Sequence, residues 1–374
     1  MSKCTKSGIY ENYTDDINDI NDINDMFDIC PEKSRDLVTY KLNIPWSEYH
    51  RPSNIENIIS HPKIKKTMKK YIENGYFPHL MFYGPPGTGK TSIIRAFSTE
   101  FYGLYSNLMV MEINASENRG IDVVREDITN FVSSTSNFIG SDIHKFKLII
   151  LDEADHLTTD AQGILRNTIE KYTKSARFCI ICNDKSKIIP AIESRTTIMK
   201  FSPINDDDIR STINKIAKFR KLIINDECIN MLIKITKGDL RFLINKLQAL
   251  SMETIINNPK DIIEITTEMV SISCGYPTNN DINKIIEIIT DNDKKLVNFN
   301  EKLNTFKKYI KDKNISLTSI MDELSYYLYD NIIANKKVNS MHKKIFNVMA
   351  NIESLMCNVS NNEIYYRLLL SANL

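Results

Sequence analysis

Gly84-Pro-Pro-Gly-Thr-Gly-Lys-Thr91 has the residue types and spacing of a phosphate cradle, G-x-x-x-x-G-K-S/T. Gly84, Gly87 and Gly89 let backbone N–H groups curl around phosphate oxygens with no Cβ in the way, and Pro85, Pro86 and Thr88 fill the intervening positions. A helix opening here aims the positive end of its dipole at the same anion. Lys90 is spaced to reach the β- and γ-phosphates of a nucleoside triphosphate, and Thr91 to offer a hydroxyl to Mg²⁺. Leu148-Ile-Ile-Leu-Asp-Glu-Ala-Asp155 is an apolar run that ends in acids. Asp152 is expected to hold Mg²⁺, directly or through water, and Glu153 to orient and deprotonate an attacking water. Acids after a strand also cap helices or solvate loops, so it is their combination with the glycine-rich loop that points to chemistry. Asn183 follows another apolar run, where it could hydrogen-bond the attacking water beside the γ-phosphate, and where an ordinary turn residue would look the same. Arg195, in Glu193-Ser-Arg-Thr196, falls on the far side of the same domain, and spacing alone does not separate it from a surface arginine.

These groups need a scaffold, and the pattern between residues 80 and 201 supplies one. Apolar runs at Leu80–Tyr83, Met109–Ile113, Leu148–Leu151, Phe178–Cys182 and Thr197–Phe201 alternate with helix-like stretches near 90–102, 121–133, 160–172 and 187–193. Continuously apolar strands separated by helices predict an α/β fold, a parallel five-stranded sheet covered by helices on both faces. The acids at the end of 148–151 then sit at the carboxyl edge of the sheet, where open α/β sheets bind ligands. After Pro203 the strand signals stop. Asp206-Asp-Asp-Ile209 reads as a helix start, with acids at the positive end of the dipole, and helical periodicity continues to the C-terminus. Gly275-Tyr-Pro-Thr-Asn-Asn280 is the best break within that half. The expected organisation is an extension over 1–40, a nucleotide-binding domain over 41–203, a small helical domain over 204–274 and a second helical domain over 275–374.

The chain has 374 residues, enough for two or three domains, and its 42% hydrophobic and 25% charged residues fit proteins with substantial cores. No run approaches the ~18 apolar residues of a membrane span, and MSKCTKSGIYENYTDD has no signal-peptide core, so a secreted or membrane-spanning protein is not expected. Seven cysteines argue against a disulfide scaffold. Cys179 and Cys182 form a lone C-x-x-C in an apolar run, which reads as two buried strand cysteines rather than a zinc site. Net charge is +1, but residues 1–40 hold nine acidic against four basic side chains, which leaves the remainder mildly basic. The repeat over Asp16–Asp25 has period three, which suits neither strand nor amphipathic helix, and reads as acidic, Asn-rich disorder. Any nucleic-acid surface must be local. Arg119 and Arg125 flank the start of a helix whose apolar face is Val124, Ile128 and Phe131, leaving its N-terminal end free for an anion or simply for water.

From Pro45 to about Gln248 the chain resembles a small subunit of replication factor C, the sliding-clamp loader within the AAA+ ATPases. Pro45-Trp-Ser-Glu-Tyr-His-Arg-Pro52, Pro78 to Thr91, Leu151-Asp-Glu-Ala-Asp155, Arg177 to Asn183 and Gly238-Asp-Leu-Arg241 all carry the likeness. The more specific blocks are Asn114-Ala-Ser-Glu-Asn-Arg-Gly-Ile-Asp-Val-Val-Arg125 and Ser186-Lys-Ile-Ile-Pro-Ala-Ile-Glu-Ser-Arg195. The latter is most similar to the small-subunit type numbered five in humans. The resemblance implies ATP and Mg²⁺ as cofactors, and ATP hydrolysis coupled to loading a sliding clamp on primer–template DNA during replication. It implies Asn183 as a first sensor, Arg241 as a second sensor reaching from a helical lid, and Arg195 as an arginine finger entering the neighbouring subunit's site. It also implies Arg119 and Arg125 as contacts to the DNA backbone, with Lys185 and Lys187 as weaker candidates, and residues 275–374 as the collar of a five-membered ring. The sliding clamp, the other loader subunits and primer–template DNA would be the partners. The place of work would be a nucleus, or a cytoplasmic replication site if a large DNA virus encodes the chain.

Departures from the family pattern are His50 where a tyrosine is usual, Thr196 after the Ser-Arg pair, and a 135–146 segment longer than is usual. A weakly hydrolysing or non-hydrolysing interaction subunit of the same complex, or another AAA+ DNA-dependent ATPase, are the alternatives. Lys90, Thr91, Asp152 and Glu153 all being present speaks against the first, and the two specific blocks speak against the second.

Overall fold

A computed structural model describes residues 44–116, 121–133, 146–257, 263–290, 299–335, 340–356 and 362–371. The acidic extension over 1–40, and all of the 135–146 segment except Phe146, lie outside the described residues. The chain divides into two compact units, Met1–Arg51 and Pro52–Leu374. In the first, Trp46–Tyr49 forms one helical turn, and Arg51 pairs with Glu48 at 3.0 Å.

The second unit begins with α1 (Pro62–Asn74), followed by β1 (Leu80–Tyr83), α2 (Lys90–Tyr102), β2 (Val110–Asn114), α3 (Ile121–Ser133), β3 (Lys147–Asp152), α4 (Thr159–Tyr172), β4 (Ala176–Cys182) and β5 (Thr197–Lys200). The five strands form one parallel sheet in the order β2-β3-β4-β1-β5. Alternate residues of each strand point to opposite faces, and in the central strands β3, β4 and β1 both sets are largely apolar and buried. Leu80, Phe82, Leu148, Ile150, Cys179 and Ile181 pack against α1 and α2 through Met68, Ile93 and Phe97. Met81, Ile149, Leu151, Phe178, Ile180 and Cys182 face α3 and α4 through Ile128, Leu165 and Ile169. Burial on both faces is why these strands read as unbroken apolar runs. Cys179 and Cys182 are buried strand residues, as expected.

Helices dominate the remainder: α5 (Asp206–Arg220), α6 (Asp226–Thr236), α7 (Leu240–Asn257), α8 (Thr267–Cys274), α9 (Asn279–Thr290), α10 (Phe299–Asp312), α11 (Leu317–Asn335), α12 (Ser340–Met356) and α13 (Asn362–Leu370). Three acids open α5, as the dipole argument requires. One expectation fails here. The helical half contains two strands, β6 (Leu222–Ile224) and β7 (Ile263–Ile265), paired in parallel. Three residues are too few to display a period, so their pairing depends on contacts made across α6 and α7. Gly275 ends α8 in the left-handed conformation, and helices α9–α13 share a separate core around Ile285, Phe306, Ile320, Leu324, Ile352 and Tyr365. No helix among the described residues is long and apolar enough to cross a membrane.

Candidate nucleotide site

Parallel strands bring all five carboxyl ends to one edge, and the register brings the chemistry together there. Tyr83 is level with Cys182, so the loop leaving β1 starts beside Asn183. The loop is closely packed on its outer side. A Cβ at Gly84 would collide with the Phe201 carbonyl, and one at Gly87 (φ +66°) with the Asp239 side chain. Glycine is required at both positions for that reason. Thr88 Oγ1 donates to the Pro85 carbonyl at 2.9 Å and ties the loop across itself.

Lys90 is buried, and its Nζ donates to the carbonyls of Gly84 (2.7 Å) and Pro85 (2.8 Å) and to Asn183 Oδ1 (2.9 Å). Burial lowers its pKa, since desolvation disfavours the ammonium; Asp152 pulls the other way, and Arg241 adds to the lowering. Thr91 Oγ1 donates to Asp152 Oδ2 at 2.7 Å. The other carboxylate oxygen of Asp152 accepts the Glu153 N–H at 2.9 Å. A hydroxyl and a carboxylate within hydrogen-bond reach form a hard oxygen donor set, the kind that suits Mg²⁺. Glu153 has φ +56° and ψ +37°, a left-handed conformation rare outside glycine and asparagine. Such a residue costs about 1 kcal/mol or more and persists only where its surroundings impose it.

Asn183 therefore lies beside Lys90 at the loop. Arg241 is exposed in the first turn of α7, close enough for its charge to act on Lys90. The same helix start bonds the loop directly, because the Leu240 N–H donates to the Gly87 carbonyl at 3.3 Å. The structure does not bring Arg195 to this cluster. Its guanidinium bonds Glu170 on α4 at 2.8 Å, the Ala191 carbonyl at 2.7 Å and Ser194 Oγ at 3.2 Å. Lys185 pairs with Glu193 at 2.9 Å. Arg119 lies outside the described residues, and Arg125 is described only as part of α3.

Two residues near this edge went unnoticed in the sequence. Gln162, on α4, is buried; its Nε2 donates to the carbonyls of Leu157 (3.2 Å) and Lys187 (2.9 Å), and its Oε1 accepts the Ile189 N–H (2.8 Å). It joins the segment after Glu153 to the segment that runs from Asn183 to Arg195. His61 Nε2 lies 3.2 Å from the Thr88 carbonyl, inside the phosphate loop. Neither belongs to a motif with a chemical signature of its own. Only the fold brings them to the site.

A parallel sheet with this loop and these acids at its carboxyl edge defines a phosphate-loop ATPase, and a family model described as "ATPase family associated with various cellular activities (AAA)" matches residues 80–204. ATP is the nucleotide of that class. Among curated relatives, the probable replication factor C subunit 5 of Dictyostelium discoideum is 39% identical over 82% of this chain and 86% of its own length. The putative replication factor C small subunit L499 of Acanthamoeba polyphaga mimivirus is 38% identical, covering 86% of this chain and 96% of that one. Human replication factor C subunit 5 is 39% identical over 67% of this chain and 71% of its own. The chain belongs to the replication factor C small-subunit family.

Proposed function

We propose that this chain is an ATP-hydrolysing subunit of a multi-subunit clamp loader, which opens a sliding clamp and loads it on primer–template DNA during replication. One observation carries the reading. Lys90 is held between two loop carbonyls and Asn183, beside a Thr91–Asp152 pair at 2.7 Å and next to Glu153. A lysine, a hydroxyl–carboxylate pair and a neighbouring acid at one sheet edge are groups that phosphoryl transfer to water asks of the subunit holding the nucleotide, and this supports the reading.

In this reading Gly84, Pro85, Pro86, Gly87, Thr88 and Gly89 cradle the phosphates. Lys90 holds the β- and γ-phosphates, and Thr91 and Asp152 hold Mg²⁺, which when bound neutralises charge developing on the phosphates. Glu153 takes the proton of the attacking water, Asn183 orients that water, and Arg241 reads the γ-phosphate from the helical segment 204–274. Arg195, which bonds nothing in its own phosphate loop, is the finger for a neighbouring subunit, so hydrolysis waits for assembly. Arg119 and Arg125 meet the DNA backbone, where phosphate contacts provide affinity without sequence readout. Residues 275–374 hold the ring together. Relatives from eukaryotes and from a giant virus support a nuclear or a viral cytoplasmic replication site.

The test measures binding of fluorescent ATP by the full chain, followed by hydrolysis in the complex. Lys90→Ala abolishes binding, and a complex in which only this subunit keeps its loop lysine still hydrolyses ATP when clamp and primed DNA are added. Undiminished binding by Lys90→Ala overturns the site. A silent complex overturns the hydrolytic role in favour of an interaction subunit.

A further inference from the structure

The phosphate loop is shaped partly by donors outside it, and one of these has no assigned task. In a trans peptide the C=O and the following N–H point in opposite directions. An external donor that holds a loop carbonyl on the outer side therefore turns the next N–H inward. The Leu240 N–H holds the Gly87 carbonyl, which orients the Thr88 N–H. His61 Nε2, 27 residues away in sequence, is 3.2 Å from the Thr88 carbonyl, which orients the Gly89 N–H. A carbonyl oxygen can only accept, so Nε2 carries the proton in this contact.

His61 is held in place from several sides. It precedes Pro62 at the start of α1 with φ +64° and ψ +56°, a conformation that non-glycine residues seldom adopt. Its ring meets Phe201 edge-on at 4.8 Å and 67°. The carbonyl of Phe201 in turn lies against Gly84, and its N–H bonds the Tyr83 carbonyl at 2.8 Å. Burial lowers the ring's pKa, while the Thr88 carbonyl and the Asp208 carboxylate on α5 oppose that shift. The ring thus bridges the chain before α1, the end of β5 and the loop.

We propose that His61 is a positioning residue of the phosphate site, its Nε2–H holding the Thr88 carbonyl so that the Gly89 amide faces the phosphates. The role rests on the ATP-site reading above and adds a residue to it. Lys90, Thr91 and Glu153 are untouched by the contact, so affinity should change more than the chemical step. Because the contact acts on a phosphate-facing amide, the loss is independent of the base.

The experiment titrates fluorescent ATP and GTP analogues into the full chain, with His61→Phe and His61→Gln beside the wild type and Lys90→Ala as control. Phenylalanine keeps a ring against Phe201 but has no donor, whereas glutamine keeps an N–H at similar reach. His61→Phe is expected to weaken both analogues about tenfold, the worth of one hydrogen bond lost at a desolvated site. His61→Gln stays within about threefold of the wild type, a rescue that ring packing alone does not predict. Wild-type affinity in His61→Phe overturns the proposal, as does equal weakening in both variants or a loss confined to the adenine analogue. Undiminished binding by Lys90→Ala overturns instead the ATP-site reading beneath it.

Discussion

Gln162→Leu isolates the joint between the two segments that carry the proposed water-handling groups. Leucine is close in volume, so little cavity forms. The polar loss is specific: the Ile189 N–H loses its acceptor, and the carbonyls of Leu157 and Lys187 lose a donor. A buried N–H without a partner costs about 1–3 kcal/mol, and carbonyls, which have a second lone pair, cost less. The sum is a destabilisation of about 2–4 kcal/mol. Hydrogen exchange reads it locally, because each 1.4 kcal/mol corresponds to about tenfold in an opening equilibrium. The Ile189 amide should therefore lose at least about tenfold in protection. Glu153 and Asn183 stand on either side of the joint, so their mutual placement loosens and hydrolysis falls by about 10²-fold, while ATP affinity changes far less. Wild-type protection at Ile189 together with wild-type turnover would refute the reasoning, since the three bonds would then be doing nothing that water does not replace.

Glu153→Asn places a residue that tolerates left-handed backbone at φ +56°. It is expected to raise the midpoint of thermal unfolding by the equivalent of about 0.5–1 kcal/mol and to abolish hydrolysis without weakening ATP binding, and a less stable variant would contradict the strain argument. Arg195→Ala removes only exposed bonds to Glu170, Ala191 and Ser194, so stability stays within about 1 kcal/mol. ATP binding by this chain is retained, and turnover at the neighbouring site of the assembled complex falls by about 10³-fold, measured with that site as the sole active one. His79 Nδ1 accepts the Phe178 N–H at 3.2 Å, and burial, with Arg177 nearby, lowers its pKa to about 4. The unfolded chain therefore binds the extra proton between about pH 6.5 and 4, and stability present above that window is lost as pH falls through it. Urea unfolding followed by circular dichroism should show about 1–2 kcal/mol lost from pH 7 to 5 through this group. His79→Asn, which keeps an acceptor near the Nδ1 position, should flatten that slope.

The three central strands β1, β3 and β4 were legible because each is apolar on both faces, the edge strands β2 and β5 were read from partly polar runs, and the errors lie at the strand ends. Met109 closes a helical turn rather than opening β2, and Phe201 falls just past β5, although its N–H still bonds Tyr83. The strands β6 and β7 were not legible, because Ile, Leu and Glu in runs of three are equally at home in a helix. Within the site, the glycine spacing announced the loop, and the acids after an apolar run announced Asp152 and Glu153. No local signal marked the left-handed backbone of Glu153, which follows from its place between the strand end and the 3₁₀ turn at Ala154–His156.

What the residue order determined by itself is local: which stretches are strands or helices, where the loop must tighten, and which side chains have the chemistry for a triphosphate. These follow from backbone sterics, side-chain period and functional-group type, all of which act within a few residues. Tertiary structure alone decided who stands beside whom. Asn183 meets Lys90 because β4 lies next to β1, Asp239 reaches Gly87 because α7 begins at the sheet's carboxyl edge, and His61 reaches Thr88 from before α1. Contacts between distant segments depend on strand order and register, and the sequence period of any one element does not encode them.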